Sequence, residues 1–156
     1  MPTIYMLIGV PASGKSTWVE KYTGNALVIS SDNLIETYAA EQGKTYNEVF
    51  KGQIKLATKL ALEHAEEAFA AGQDVIWDQT NLTKKSRASK LSMVPPHYHK
   101  TAVFFATPLE AEWQRRLNSR PGKSIPAHIL DSMVEMLEMP DHTEGWNIIE
   151  YNLNAD

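Results

Sequence analysis

The glycine-rich stretch at residues 9–17, GVPASGKST, constrains the fold of this chain more than any other feature. Its spacing, G-x-x-x-x-G-K-S, is that of a phosphate-binding loop. The apolar run at residues 4–8 is typical of a short buried strand, and residues 18–22 are typical of a helix. In this order the backbone N–H groups of the loop and the positive end of the helix surround one anion. The alternative, a plain Gly/Ser-rich turn, explains neither the complete motif nor its position between strand and helix.

Two side chains of the loop predict which anion is bound. The Lys15 ammonium can reach the β- and γ-phosphates of a nucleotide, and the Ser16 hydroxyl can ligate Mg²⁺. We therefore expect a nucleotide and its magnesium ion at this loop.

Length and composition limit the remaining classes. The chain has 156 residues, 43% of them hydrophobic, so we expect one domain over residues 1–156 with an ordinary core. No apolar run approaches the ~20 residues of a membrane span, and no export signal is recognisable, so we expect no membrane partner. The absence of cysteine excludes disulfides and thiolate zinc sites, and we expect a cytoplasmic location. The net charge of −4 argues against gripping a long nucleic acid, although a local basic groove remains compatible with it.

A second apolar run, residues 26–29, leads into the polar sequence SSDN at residues 30–33. Open α/β sheets bind ligands at the carboxyl ends of their strands. Asp32 is therefore a candidate general base for an acceptor hydroxyl. Ser31, Asp32 and Asn33 are also good helix N-caps, and the local sequence leaves both roles of Asp32 open.

A third strand is predicted at residues 74–77, and Asp78 follows it. At this strand end Asp78 can hold Mg²⁺ through water. Thr80 and Asn81 offer a hydroxyl and an amide for binding an acceptor. The alternative is a polar turn in which Thr83 caps the next helix.

Four cations crowd the short helix that is predicted after this turn and before the Pro95-Pro96 pair: Lys84, Lys85, Arg87 and Lys90. Such a cluster is usually surface charge. Beside a phosphate site it is also a candidate nucleic-acid contact, with Arg87 as a candidate substrate-binding residue.

A fourth apolar run, residues 102–105, precedes two helices that are separated by the break PGKS at residues 121–124. Arg116, Arg120 and Lys123 flank this break. Cations on a mobile lid can neutralise a migrating phosphoryl group. The alternative is a basic helix C-terminus that the helix dipole favours.

Helix signals and a last apolar run complete the pattern. A capping box at Thr45–Glu48 predicts the longest helix, to about Ala71, and a second box at Thr107–Glu110 predicts a helix with Pro108 at its first position. Residues 146–151 are typical of a fifth strand. Strands and helices thus alternate after a phosphate loop, which predicts an α/β fold with a parallel sheet of about five strands and helices on both faces.

Four blocks, taken in order, resemble the phage-type polynucleotide 5′-kinase domain, and the resemblance extends over about residues 2–138. The blocks are GVPASGKSTW at 9–18, SDN at 31–33, DQTNL at 78–82, and RLNSR with KSIP within 116–126. The phosphate loop alone occurs in many nucleotide-binding proteins. The four blocks together are much more specific, although small P-loop kinases share part of them.

This resemblance implies an adenylate-kinase-like P-loop kinase fold with a small lid, which moves the γ-phosphoryl of ATP to the 5′-OH of DNA or RNA. By position, Asp32 is the general base, Arg120 contacts the transferring phosphate, and Arg116 is a less close match. The loop residues that would hold ATP and Mg²⁺ are Gly9, Pro11, Ala12, Ser13, Gly14, Lys15, Ser16 and Thr17. In two places the chain departs from the family on the acceptor side: Ile35 stands where the family has an arginine, and Asn33 replaces an acidic residue.

The sequence therefore predicts a P-loop kinase for a hydroxyl acceptor, with a polynucleotide 5′-OH end as the leading acceptor. A kinase for a small metabolite or nucleoside is the alternative among enzymes, and the acidic net charge and Ile35 favour it. A nucleotide-binding switch without catalysis is the alternative of another class. Such a switch needs neither Asp32 nor the lid arginines.

Overall fold

The computed structural model describes residues 1–153, and its centre is one parallel sheet. The strands lie in the order β2-β3-β1-β4-β5, and every neighbouring pair is parallel. Their bounds are β1 Thr3–Ile8, β2 Ala26–Ile29, β3 Asp74–Asp78, β4 His99–Phe105 and β5 Ile148–Asn152. The predicted α/β fold with five parallel strands is confirmed.

Within residues 1–153, six α-helices and one 3₁₀ turn join or follow these strands. They are α1 Lys15–Lys21, α2 Ser31–Gln42, α3 Tyr46–Ala70, α4 Lys84–Leu91, α5 Glu110–Asn118, α6 Ala127–Met136 and the turn His142–Glu144. No helix within residues 1–153 is both long enough and apolar enough to cross a membrane.

The central strands are apolar at consecutive positions because both faces of the sheet are covered. On one face, Met6 and Trp77 pack in the cluster that contains Ala61 and Ala65 of α3. On the other face, Leu7 packs in the cluster that includes residues of α1. Alternation along each strand therefore fills two separate layers of core.

The capping box that opens α3 is confirmed. The Thr45 hydroxyl accepts a hydrogen bond from the Glu48 N–H, and the Glu48 carboxylate accepts one from the Thr45 N–H at 2.8 Å. The helix is followed by Gly72, which has a φ of +68°. This left-handed conformation is the one that glycine adopts after a helix.

The structure excludes one alternative that the sequence left open and overturns one predicted helix start. The N-cap of α2 is Ser30, whose hydroxyl accepts from the Asn33 N–H at 3.2 Å, so Asp32 lies in the first turn instead of at the cap. The helix α5 begins at Glu110 without a side-chain cap, and Pro108 lies outside it. Within this helix, the buried Trp113 donates its indole N–H to the Pro11 carbonyl at 2.8 Å.

Candidate active site

The phosphate loop follows β1 and curls tightly before α1. Ala12 and Gly14 have φ values of 60° and 115°, in the left-handed region. A Cβ atom at Gly9 would lie 2.6 Å from the Ser13 Oγ and 3.1 Å from the Phe105 Cβ, so this position requires glycine. Backbone with left-handed residues of this kind can direct successive peptide N–H groups at one anion.

The side chains around the loop leave its donors available to an anion. Gly14 makes no side-chain cap for α1, and the first turn of that helix contains no acidic residue. Ser16 and Thr17 are exposed there. The Ser13 Oγ is buried and has no hydrogen-bond partner among the described residues. These features fit a bound phosphate group, which would satisfy donors that the protein itself does not.

The Lys15 ammonium lies inside the loop. It donates to the Gly9 carbonyl at 2.6 Å and to the Val10 carbonyl at 3.1 Å. Burial lowers its pKa to about 8, and the carboxylates of Asp78 and Asp32 oppose that change. Lys15 therefore keeps its charge at neutral pH and can exchange carbonyl oxygens for phosphate oxygens.

Charged groups from three segments of the chain converge on Lys15. Asp78, Asp32, Arg120 and Lys123 all act electrostatically on its ammonium. Asp78 is half-buried at the end of β3, and burial raises its pKa while the charge of Lys15 lowers it. The structure thus places the predicted Lys15, Asp32, Asp78 and Arg120 around one edge of the sheet.

The Asp32 carboxylate has a partner on each oxygen. Oδ1 accepts from the Tyr46 hydroxyl at 2.7 Å, and Oδ2 accepts from the Lys123 ammonium at 3.3 Å. The side chain of Asp32 remains 53% exposed, so an acceptor hydroxyl can still reach it. Burial and the hydrogen bond to Asp32 raise the pKa of Tyr46, which therefore stays a neutral donor.

Lys123 also contacts two residues that the sequence did not indicate as part of the site. Its ammonium lies 2.7 Å from the Glu36 Oε1 and 4.5 Å from the centre of the Tyr46 ring. Glu36 follows Asp32 by one helical turn, which was the only signal for it in the sequence. Nothing in the sequence links Tyr46 to Asp32.

The segment at residues 119–126, here called the lid loop, is fastened to the start of α3. The Asn47 amide donates to the Ser124 Oγ at 2.7 Å, and the Ser124 N–H donates to the Asn47 Oδ1 at 3.1 Å. The Asn47 N–H donates to the Gly122 carbonyl at 3.0 Å. These contacts place Lys123 beside Asp32.

The two predicted arginines occupy different positions. The Arg116 guanidinium donates to the Ala12 carbonyl at 3.3 Å and to Glu112 at 3.0 Å, so it contacts the phosphate loop directly. The side chain of Arg120 is half-buried and acts electrostatically on Lys15 and Tyr46. Within residues 1–153 its guanidinium has no hydrogen-bond or ion-pair partner, which leaves it available to a phosphate.

The structure separates Thr80 from Asn81, the two residues that were both predicted to bind an acceptor. Thr80 is half-buried, and its carbonyl accepts from the Gly9 N–H at 3.0 Å. Asn81 is 2% exposed, and its amide donates to the Leu7 carbonyl at 2.8 Å. The prediction for Asn81 is wrong, because its amide joins the ends of β1 and β3 inside the protein.

Arg87 is also a structural residue, and its predicted contact with substrate is wrong. Its side chain is 0% exposed and forms an ion pair with Glu144 at 2.8 Å. The same guanidinium donates to the Asn81 and Leu82 carbonyls. These partners satisfy the guanidinium inside the protein, so it cannot also bind an acceptor.

The fold and the phosphate loop together define an α/β protein of the P-loop kinase type. The chain matches the AAA domain family over residues 4–140, and it belongs to that family.

Solved structures show the same fold. One chain of the Pnkp1/Rnl/Hen1 RNA repair complex is 23% identical, with a TM-score of 0.66 over 87% of this chain. The present chain spans only 44% of that protein. A gluconokinase from Sinorhizobium meliloti 1021 is 19% identical, with a TM-score of 0.59, over 99% of this chain and 84% of its own. A structure of the PezAT toxin–antitoxin system of Streptococcus pneumoniae is 15% identical, with a TM-score of 0.69, over 98% of this chain and 67% of its own.

Proposed function

We propose that this protein is an ATP-dependent kinase that transfers the γ-phosphoryl group to a hydroxyl acceptor. The observation that carries the proposal is the convergence of Asp32, Asp78 and Arg120 on Lys15 of the phosphate loop. A phosphoryl-transfer site needs a cradle for the phosphates, a base for the acceptor and cations for the migrating charge. Each of these groups is available at this edge of the sheet.

The roles follow from the positions of the side chains. The loop N–H groups and Lys15 would bind the β- and γ-phosphates, and Ser16 with Asp78 would hold Mg²⁺, directly or through water. The bound ion would neutralise charge on the phosphate oxygens. Asp32 would accept the proton of the acceptor hydroxyl as the hydroxyl oxygen bonds to the γ-phosphorus and the bond from that phosphorus to the leaving ADP breaks. Arg120 would stabilise the charge that develops on the transferring group.

The leading acceptor in this proposal is the 5′-OH end of DNA or RNA. Its support is the set of four sequence blocks that resemble the phage-type polynucleotide 5′-kinase domain. The fold likeness to a chain of an RNA repair complex agrees with it.

A small hydroxyl metabolite is the second candidate acceptor, and one observation favours it. Ile35 stands where the polynucleotide kinases have an arginine, and it is 0% exposed in a cluster with Ala39, Val49 and Ala57. The acceptor side therefore lacks a cation at that position. In addition, Arg87 is engaged inside the protein. The fold likeness to a gluconokinase is compatible with this candidate.

A transfer assay with γ-labelled ATP tests the proposal. The acceptors are a 5′-OH oligodeoxynucleotide, a 5′-OH oligoribonucleotide, nucleosides and small polyols. We expect label on one acceptor class, and we expect the Lys15→Ala variant to lose transfer while it remains folded, because Lys15 supplies charge at the transferring phosphates. Lys21→Ala, at the exposed end of the same helix, is the matched control and should transfer normally.

Two outcomes of this assay contradict the proposal. Normal turnover by a folded Lys15→Ala variant would remove the phosphate loop from the chemistry. Nucleotide binding without transfer to any acceptor would favour the alternative of a non-catalytic switch.

A further inference from the structure

A cavity of about 230 Å³ lies between α3 and α4. Ala61 and Leu62 of α3, together with Trp77, form its apolar side. Residues of α4 form its polar side: Ser86, Ser89 and Lys90. No residue of the phosphate loop lines it, so it is a separate site from the one described above.

Lys90 is a half-buried cation without a carboxylate partner in the described part of the chain. Its ammonium lies 5.5 Å from the centre of the Trp77 ring and donates to the Asn81 Oδ1. Burial lowers its pKa to about 8, so the side chain is still charged at neutral pH. The other partly or fully buried cations of this helix are paired, Lys84 with Asp141 and Arg87 with Glu144.

An unpaired cation in this position is costly for the protein and attractive to an anion. Removing an ammonium from water without a counter-charge is unfavourable. Its attraction for an anion is also stronger than at an exposed site, because less water screens it. Two of the three N–H donors of Lys90 remain after the bond to Asn81.

The neighbouring hydroxyl groups extend the polar side. Ser86, Ser89 and Lys90 are spaced i, i+3 and i+4, which places them on one face of α4. The Ser86 hydroxyl donates to the Thr83 carbonyl, whereas the Ser89 hydroxyl makes no intramolecular hydrogen bond within residues 1–153. Ser89 can therefore donate to an anion that Lys90 binds.

We propose that this cavity binds a small organic anion, with its carboxylate or phosphate group on Lys90 and Ser89 and its apolar body against Leu62, which is 38% exposed. The volume is below the roughly 300–1,000 Å³ of sites for drug-sized ligands, which fits a fragment-sized molecule. Gln79 also lines the cavity and donates to the Ser31 Oγ at 3.2 Å. A bound anion would thus lie beside Gln79, which is hydrogen-bonded to Ser31, the residue before Asp32.

Three aromatic probes test the site by NMR on the full chain: benzoate, phenyl phosphate and the neutral analogue benzamide. We expect saturable shifts of the Ser89 and Lys90 amides and of the Trp77 indole with an anionic probe, and no saturable shifts with benzamide. The pKa of Lys90 should rise when the anion binds, because the anion stabilises the ammonium form. Comparison of the two anionic probes identifies carboxylate or phosphate as the preferred group.

Equal responses to benzamide and to the anions would overturn the proposal. So would phosphate-induced shifts that are confined to the amides of the phosphate loop. These outcomes are read on the unmodified protein, so they do not depend on the folding of any variant. They are also independent of the kinase proposal, since no transfer is measured.

A pair of variants on the same helix adds a second test. Lys90→Met removes the charge while keeping a similar length, and Lys85→Met removes an exposed charge from the same helix. We expect Lys90→Met to weaken binding of the anionic probe by at least about 10-fold, the scale of losing a hydrogen bond to a charged group. Lys85→Met should bind like the unmodified protein. Unchanged affinity in a folded Lys90→Met variant would contradict the assignment.

Discussion

At the scale of single residues, the position of Asp32 separates two roles that its local sequence permits. Ser30 caps α2, so Asp32 is not needed for that purpose. Asp32 contributes to stability through its place in the first helical turn, about 0.3–1 kcal/mol, through an exposed pair with Lys123, about 0–1 kcal/mol, and through the hydrogen bond that it accepts from the Tyr46 hydroxyl. A large effect of an Asp32 substitution on the transfer rate would therefore reflect its role in the chemical step.

We expect Asp32→Asn to lower transfer by at least roughly 10²-fold, because the amide cannot accept the proton of the acceptor. Melting temperature and ATP binding should change little, since the Asn side chain can still accept the bond from Tyr46. Turnover and unfolding of the same preparation check both expectations. Glu36→Gln is the matched control, because Glu36 contacts Lys123 as Asp32 does.

If both variants lost activity equally, Asp32 would act through the position of Lys123 and not as a base. If Asp32→Asn transferred normally, Asp78 would become the candidate base, as the other carboxylate at this edge of the sheet.

Arg120 is the second residue whose role the structure sharpens. We expect Arg120→Ala to lower the turnover rate by roughly 10²-fold, the scale of losing one contact to the transition state, with a smaller change in ATP affinity. Arg115→Ala is the control, because that side chain is 70% exposed and pairs with Glu112 on the same helix. Steady-state rates over a series of ATP concentrations separate the two parameters. An unchanged rate would leave Arg120 as a cation that only stabilises a helix end.

At the scale of elements, the contact between the lid loop and α3 depends on a glycine. Gly122 has a φ of +67°, and a Cβ there would lie 2.7 Å from the Thr45 Cβ. Gly43, after α2, has nearly the same φ of +65°, but nothing lies within 4 Å of an added Cβ. A side chain at either position would therefore have the same backbone cost, and only at Gly122 would it also have a steric cost.

We expect Gly122→Ala to destabilise the protein more than Gly43→Ala does. A left-handed alanine costs about 1–2 kcal/mol at either position, and the contact with Thr45 adds to it at Gly122. Urea unfolding measures the difference, and hydrogen exchange at the Ser124 amide shows whether the lid loop has loosened. Equal destabilisation by the two variants, with unchanged exchange at Ser124, would show that the lid loop tolerates the methyl group.

Local sequence predicted these elements well where the signal was complete in itself. The capping box at Thr45 formed because its two hydrogen bonds involve residues three apart. The predicted box at Thr107 does not form, since α5 begins at Glu110 and has no side-chain cap. The prediction that Arg87 binds a substrate was wrong because its partner, Glu144, lies 57 residues away in the sequence.

At the scale of the whole molecule, the site follows from topology. The apolar runs identified all five strands, and parallel strands present their carboxyl ends at one edge. That rule brought Lys15, Asp32 and Asp78 together before any side-chain contact was known. The contacts of Tyr46 with Asp32 and of Asn47 with Ser124 could not be predicted, because they depend on how α3 and the lid loop pack in three dimensions.

The pH dependence of stability is a property of the whole molecule that the partly buried Lys15 and Lys90 should control. The pKa values of Lys15 and Lys90 are lowered from 10.5 to about 8 by burial. Between about pH 8 and pH 10.5 the two lysines bind more protons in the unfolded chain than in the folded protein. The free energy of unfolding should therefore rise with pH above 8. The tyrosines act in the opposite direction above about pH 10, because burial raises the pKa of Tyr22 to about 12 and also raises that of Tyr46.

Urea unfolding at about pH 8, 9 and 10 measures this rise. We expect a smaller rise in Lys90→Met, because only Lys15 then contributes to it, whereas Lys85→Met should follow the unmodified protein. A saturating nucleotide should also flatten the curve, since phosphate oxygens beside Lys15 favour its charged form and raise its pKa. An identical pH dependence in the unmodified protein and Lys90→Met would mean that Lys90 is as well solvated in the folded protein as in the unfolded chain.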